Sequence, residues 1–276
     1  MRVKFSKIHG LGNDFIVLNE LKARVLPDDL KPGFSKAFSR RKFGVGSDGV
    51  LVLEPSKKAD FRMTVFNADG GRAEECFNGL RCVSLEFFLA TGKKEFSIET
   101  DTKTVKARII SFDKAENLAI VQTEFFGDMK IEAKGSEIEI DGEKFSYNFV
   151  NVGNPHAVIF TQTPVEKIDL ERIGHKIEYH KNFAPGRTNT EFVNIVSDRH
   201  VRMRVHERGD CETLACGSGS VAIVLAGIAS GKLKADDWII VSNPGGDLKI
   251  RKDGNVLVQG PAQKIFEGEL DAKAMV

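Results

Sequence analysis

Shifted against itself by 140 residues, the 276-residue chain aligns without a gap: VFNADGGRAEECFNGLRC (65–82) lies over VHERGDCETLACGSGSVA (205–222). Identities in this register include Phe43/Phe183, Gly46/Gly186, Arg62/Arg202, Met63/Met203, Val65/Val205, Cys76/Cys216, Gly79/Gly219 and Leu85/Leu225. A duplicated chain is expected to fold as two similar halves about a pseudo-twofold axis, with one thiol at the same place in each. Two thiols facing each other across a cleft can take a proton from one side of a carbon and return it on the other. The duplication therefore points to a racemase or epimerase.

Composition narrows the partners. Lys and Arg number 40 against 39 Asp and Glu, so a net charge of +1 gives no basis for nucleic acid or an anionic membrane as partner, and a small-molecule substrate is expected. The opening MRVKFSKIHG has no apolar signal-peptide core, and no stretch reaches the ~18 apolar residues of a membrane span. A cytoplasmic location follows as the expectation. Four cysteines without CxxC spacing fit neither a disulfide framework nor a zinc site, so reduced thiols and no metal are expected.

Short alternating strands dominate the pattern, at 14–20, 61–67, 95–100, 105–110, 147–152, 157–162, 201–207, 238–243 and 256–260, with hairpin signals at Asp141-Gly142, Pro244-Gly245-Gly246 and Asp253-Gly254. Two stretches, 34–41 and 165–179, read as amphipathic surface helices. The segments after the two cysteines differ from these. GLRCVSLEFFLA and GSVAIVLAGIA are apolar on nearly every face, so helices over about 78–91 and 218–230 should be wrapped by strands, with Gly92 and Gly231 at their C-terminal ends. The expected architecture is α+β: two pseudo-symmetric half-domains, each a mixed sheet or barrel around a central buried helix. The boundary falls near 125–135, where the pattern fades. This gives an N-terminal half over 1–128 and a C-terminal half over 129–263.

A helix start presents unpaired N–H groups and partial positive charge, which holds carboxylates and lowers the pKa of a thiol placed there. Cys76 before Asn78-Gly79 and Cys216 before Gly217-Ser218-Gly219 both fit such a start, and the glycines admit close approach of a ligand. The alternative, that each is an ordinary buried small apolar residue, is the usual fate of a cysteine. Their symmetric placement argues for chemistry.

HGLGNDF (9–15), FNADGGRAEECFNGLRC (66–82), GNPHAV (153–158) and ERGDCETLACGSGS (207–220) resemble, in order and spacing, the signature blocks of diaminopimelate epimerase, over residues 1 to about 268. The resemblance implies cofactor-independent, two-base interconversion of LL- and meso-diaminopimelate, on the route to lysine and peptidoglycan. It implies a homodimer, and a last strand near 264–276 returning to the N-terminal half. It places the catalytic bases at Cys76 and Cys216, with His156 and Glu207 tuning or relaying their protons. Asn13, Asn67, Asn154 and Asn189 would grip carboxylates and amino groups, with Glu207 beside them, and Arg208 would take the distal carboxylate with its planar fork. Backbone amides of Phe77, Asn78, Gly217 and Ser218 would hold the reacting carboxylate.

Three positions depart from the family pattern. Phe77 stands where the usual CGNG has its first glycine, so the ring must point away from the cavity or narrow it. Gly49 replaces a frequent glutamine in GxGxDQ, which leaves one polar contact to substrate either missing or supplied by water. Asp210-Cys211 replaces a small pair, adding a fourth thiol; Cys211 and Cys82 lack symmetry mates and read as structural. Two other readings stay open. Proline and hydroxyproline racemases share this kind of two-thiol fold but lack HGLGNDF and ERGxxE, and a thiol redox or metal-binding protein could use the same cysteines.

Overall fold

A computed structural model describes residues 1–73, 76–125, 129–209 and 211–272. Glu74, Glu75, Asp210 and the end of the predicted last strand, 273–276, lie outside them, as do 126–128. Contacts divide the chain into two compact units, Met1–Phe125 with Gln259–Val276, and Phe126–Val258.

The first unit contains β1 (Arg2–Gly10), β2 (Asn13–Asn19), α1 (Lys31–Phe38), β3 (Gly49–Glu54), β4 (Phe61–Asn67), β5 (Arg72–Ala73), α2 (Phe77–Thr91), β6 (Glu95–Glu99), β7 (Thr104–Asp113) and β8 (Leu118–Phe125). The second contains β9 (Lys130–Ile140), β10 (Glu143–Asn151), β11 (Pro155–Phe160), α3 (Leu170–Glu178), β12 (Asn189–Ser197), β13 (His200–Glu207), β14 (Cys211–Thr213), α4 (Gly217–Ala229), β15 (Ile239–Asn243) and β16 (Gly246–Asp253). The final strand, β17 (Asn255–Asp271), enters the first unit from Gln259 onward.

In the first unit β1 pairs antiparallel with β2, β2 parallel with β3, β3 antiparallel with β4, β4 parallel with β6, and β6, β7 and β8 follow antiparallel. β17 pairs with both β8 and β1, which closes the circle into a barrel. Inside it runs α2, touching β1, β2, β3, β4, β7 and β8. The helix can lie there because Phe77 through Phe87 are all buried, so no face asks for water. Strand alternation sends Ile16, Leu18, Val50 and Val52 outward, where they pack under Phe34 and Phe38 of α1.

The second unit repeats the pairing: β10 antiparallel to β11, β11 parallel to β12, β12 antiparallel to β13, β13 parallel to β15, and β15 antiparallel to β16. Registers repeat as well, Leu51 opposite Val65 in one unit and Glu191 opposite Val205 in the other. α4 packs on β9, β10, β11, β12 and β16. On the opposite face Leu170, Ile173 and Ile177 of α3 cover Ala157, Ile159 and Phe192. The duplicated mixed sheets around buried helices agree with the expected fold class.

Several local expectations change. The helix expected over 165–179 is broken into a 3-10 turn at Val165–Lys167 and α3, because Asp169 turns its side chain to accept the Arg172 N–H at 3.4 Å and starts a new helix. α1 begins before 34, with Pro32 in its first turn and Lys31 buried against Glu20 (2.8 Å) and Glu54 (2.9 Å). The segment after 129, which reads as patternless, is strand β9; Gly135 at φ +61° interrupts its alternation. Gly92 ends α2 in the left-handed conformation as expected, whereas α4 ends on Ser230, with left-handed Gly231 one residue later. Among the described residues no helix is long and apolar enough to cross a membrane.

Candidate functional site

Each buried helix starts on its cysteine. Cys76 is the N-cap of α2, with extended backbone, and its Sγ accepts the Gly79 N–H at 3.1 Å. Cys216 caps α4 in the same way, accepting the Gly219 N–H at 3.4 Å. A thiolate-capable sulfur thus takes the place usually held by a serine or aspartate oxygen. Phe77, Asn78, Gly217 and Ser218 fall in the first turns, where a helix supplies no carbonyl for the N–H groups. A Cβ at position 79 would stand 3.0 Å from the Cys76 sulfur, and one at 219 would meet the Glu191 carboxyl oxygen at 2.6 Å, so both glycines serve the turn by lacking a side chain.

In the first unit Asn13 donates to Asp48 at 2.8 Å, and the Asp14 N–H donates to the same carboxyl oxygen at 3.0 Å. Burial pushes the Asp48 carboxyl above the usual aspartate range. Asn67 ends β4, exposed, opposite Gly49. A side chain at 49 would start 2.4 Å from the Phe66 carbonyl oxygen, so this backbone has no room for the glutamine that Gly49 replaces. Asn78 is buried, and its Oδ1 accepts from Arg81 at 2.8 Å. The Arg81 guanidinium is wholly buried, which lowers its pKa, and it also donates to the Pro261 carbonyl at 3.2 Å.

Phe77 packs against the end of β8. Its ring is buried and stacks on Phe125 with centroids 4.1 Å apart. The substitution of the family's glycine therefore fills the first unit's core. Phe77→Ala is expected to cost about 3–5 kcal/mol, read as a lower urea midpoint, while the turnover of the folded fraction stays within a few-fold.

The second unit is the more polar one. His156, wholly buried on β11, has Nδ1 2.6 Å from Glu191 Oε1 and Nε2 3.0 Å from Asn154 Oδ1. Asn154 donates to Ser218 Oγ at 3.3 Å, and Ser218 Oγ lies 3.4 Å from Cys216 Sγ. Asn189 donates to the Pro155 carbonyl at 2.8 Å and accepts the Arg208 backbone N–H at 2.9 Å, so its amide braces the loop that carries Arg208. The Arg208 guanidinium, exposed, donates to the Gly186 carbonyl at 2.8 Å. Glu207 accepts the Thr213 hydroxyl at 2.5 Å.

The two units match in backbone and differ in charge. Phe15 occupies the place of His156, Leu51 that of Glu191 and Asn67 that of Glu207. Burial, with the Glu207 and Glu191 carboxylates added, pushes the Cys216 thiol well above its ordinary pKa, against the smaller opposing pull of Ser218 and the Gly219 N–H. The expectation that a helix start lowers this thiol's pKa is thus reversed at Cys216, because the loss of solvent outweighs the helix end. Cys82 is wholly buried, its thiol pushed far up by the same desolvation, and Cys211 is exposed.

Sequence reasoning passed over Glu191, Asp48, Arg81 and Glu178. Glu178 accepts from Gly209 N–H (3.1 Å) and Arg187 (2.9 Å) and pairs with His206 (3.0 Å), fixing the far side of the Arg208 loop. Glu191 left one signal, a carboxylate within an apolar strand at a place that its duplicate fills with leucine.

Solved structures of a hydroxyproline epimerase from Agrobacterium vitis and a phenazine biosynthesis protein from Bacillus anthracis have the same fold, each with TM-score 0.71, at 15% and 14% identity. They cover 98% of this chain, and 91% and 99% of theirs. Closer in sequence are the diaminopimelate epimerases of Carboxydothermus hydrogenoformans, 38% identical over 97% of this chain and 99% of the relative, and Methanococcus maripaludis, 38% identical over 98% and 100%. The family model for diaminopimelate epimerase matches residues 5–124 and 148–265. With both cysteine loops inside those spans, the chain belongs to the diaminopimelate epimerase family.

Proposed function

We propose that this protein interconverts LL- and meso-diaminopimelate without a cofactor, Cys76 and Cys216 alternating as base and acid. The observation that carries the reading is the placement of both sulfurs as N-caps of equivalent buried helices, each accepting the N–H three residues on. In one direction a thiolate removes the α-hydrogen and the other thiol delivers its proton to the opposite face of the same carbon. One S–H bond forms and one breaks, and the reverse direction exchanges the roles.

The α-hydrogen is a very weak acid, so the developing charge needs preorganised dipoles in place of water. First-turn amides at Phe77, Asn78, Gly217 and Ser218 would hold the reacting carboxylate. Asn13, Asn67, Asn154 and Asn189, with Glu207, would fix the remaining polar groups, and Arg208 the distal carboxylate. His156 and Glu207 would set the protons around Cys216, supported by the buried His156–Glu191 contact and by the hydrogen bond that Glu207 accepts from Thr213. The N-terminal half over 1–128 and the C-terminal half over 129–263 would each contribute one thiol. We place the enzyme in the cytoplasm as a homodimer, a setting that keeps its four cysteines unbridged.

Incubating the protein with LL-diaminopimelate in D2O under reducing conditions tests this. Meso product carrying one deuterium at the inverted carbon is expected, with no requirement for pyridoxal phosphate or metal. Unchanged, undeuterated substrate would overturn the reading.

A further inference from the structure

Arg208 stands at the turn between β13 and β14, where the chain reverses through Gly209 at φ +86°. Hydrogen bonds hold it there from several sides. Its backbone N–H donates to Asn189 Oδ1 (2.9 Å), the N–H of Gly209 donates to Glu178 Oε1 (3.1 Å), and its guanidinium donates to the Gly186 carbonyl (2.8 Å). The residue after Gly186 is Arg187, whose Nη1 donates to the same Glu178 Oε1 at 2.9 Å. One carboxylate oxygen on α3 therefore holds both the backbone just beyond Arg208 and the loop whose carbonyl receives its fork. The other oxygen faces His206 Nε2 at 3.0 Å.

Glu178 is 2% exposed, and a carboxylate so deeply buried needs such donors to offset its lost hydration. The fold itself does not ask for one. The 140-residue offset holds at the ends of α1 and α3, where the Ser39 N–H donates to the Ser35 carbonyl and the Tyr179 N–H to that of His175. It lays Glu178 over Phe38, His206 over Phe66 and Arg208 over Ala68. In the first unit Phe38 and Phe66 belong to one apolar cluster. A carboxylate and an imidazole replace those two rings in the unit whose turn bears an arginine.

We infer that Glu178 is a positioning residue for substrate recognition: it sets the place and direction of the Arg208 fork, and through that fork the capture of the distal carboxylate. This rests on the diaminopimelate reading above and adds to it a residue that acts through Arg208. What matters is reach. The carboxyl group of a glutamate stands one carbon–carbon bond, about 1.5 Å, farther from its helix than that of an aspartate. A displacement of about 1 Å in a group that positions substrate can cost about 10²-fold.

The test sets two variants against each other. Glu178→Asp keeps the charge and loses the reach, whereas Glu178→Gln keeps an oxygen at the same distance and loses the charge. In the glutamine variant the amide nitrogen meets His206, which can accept at Nε2 by carrying its hydrogen on Nδ1, an atom with no hydrogen-bond partner among the described residues. Steady-state kinetics with LL-diaminopimelate are expected to show kcat/KM about 10- to 30-fold lower in Glu178→Asp, with KM raised. Glu178→Gln should stay within about threefold of wild type. With Arg208→Ala already in place, Glu178→Asp should add less than about twofold, because the fork it aims is gone. Should the aspartate variant not fold, Arg187→Met cuts the link from Glu178 to the Gly186 loop, and it should raise KM with the same loss of additivity against Arg208→Ala. Wild-type kinetics in a folded Glu178→Asp, an equal loss with and without Arg208, or a glutamine variant worse than the aspartate one would overturn the inference. Wild-type protein inert toward diaminopimelate would sink the proposed function and this inference with it, while an active wild type leaves that function standing whatever the Glu178 variants show.

Discussion

Cys76→Ala and Cys216→Ala are each expected to lower epimerisation by at least about 10³–10⁴-fold, since one base cannot deliver a proton to the face opposite the one it works from. A subtler result should accompany the loss. The surviving thiol can still remove and return hydrogen on its own face, so each variant should wash solvent deuterium into one stereoisomer without inverting it, and the two variants should prefer opposite stereoisomers. Proton NMR of the α-position during incubation in D2O reads both effects. Cys82→Ala and Cys211→Ala should keep most activity, for Cys82 is a core residue of α2 and Cys211 is exposed on β14. Full turnover by either of the first two variants would end the two-base account.

Arg208→Lys and Arg208→Ala are expected to lower kcat/KM by roughly 30- to 150-fold, the equivalent of about 2–3 kcal/mol for a lost charge-assisted pair. Lysine keeps the charge but not the fork, so both variants should raise KM. If remote binding is what organises the site, kcat should fall as well. The structure strengthens this choice of residue. Arg187 is committed to Glu178 at 2.9 Å and to the Tyr179 hydroxyl at 2.8 Å, and Arg72 clasps Asp101 at 2.7 and 2.8 Å. Arg208 is exposed and, among the described residues, holds only a backbone carbonyl with its guanidinium. A surface arginine with no ligand would contribute under ~1 kcal/mol, so steady-state kinetics identical to wild type in both variants would rule the assignment out.

Much of the scaffold is legible because it was written twice. A single offset aligned Cys76 with Cys216, and the apolar runs behind them could only be helices with no solvent face; the structure places both cysteines at the caps. What escaped was whatever one copy has and the other lacks. Glu191 sits in TNTEFVN, outside the strands expected from the pattern, and beyond the leucine at its duplicate's place nothing says that its carboxyl turns inward to a histidine from the neighbouring strand. Arg81 hides likewise within a helix, where arginine normally reaches water. The helix break at Asp169 was missed for a different reason: apolar spacing continues through it, while the capping bond that stops the helix involves one side chain. Side-chain pairing across strands is a tertiary fact, and periodicity carries no trace of it.

The position of β17 has a consequence for how the molecule is made. Strands β1 to β8 are all synthesised by residue 125, yet the barrel they form lacks its closing member until residues from 259 onward have been translated. At ordinary ribosomal speed that delay is roughly 8–30 s, during which β1 and β8 would present unpaired backbone edges able to recruit strands from other nascent chains. A premature stop anywhere in the second unit would therefore damage the first as well, leaving an open sheet where a barrel should be. Quality control in the cell would meet this protein at its N-terminal half, even when the lesion lies near its C-terminus.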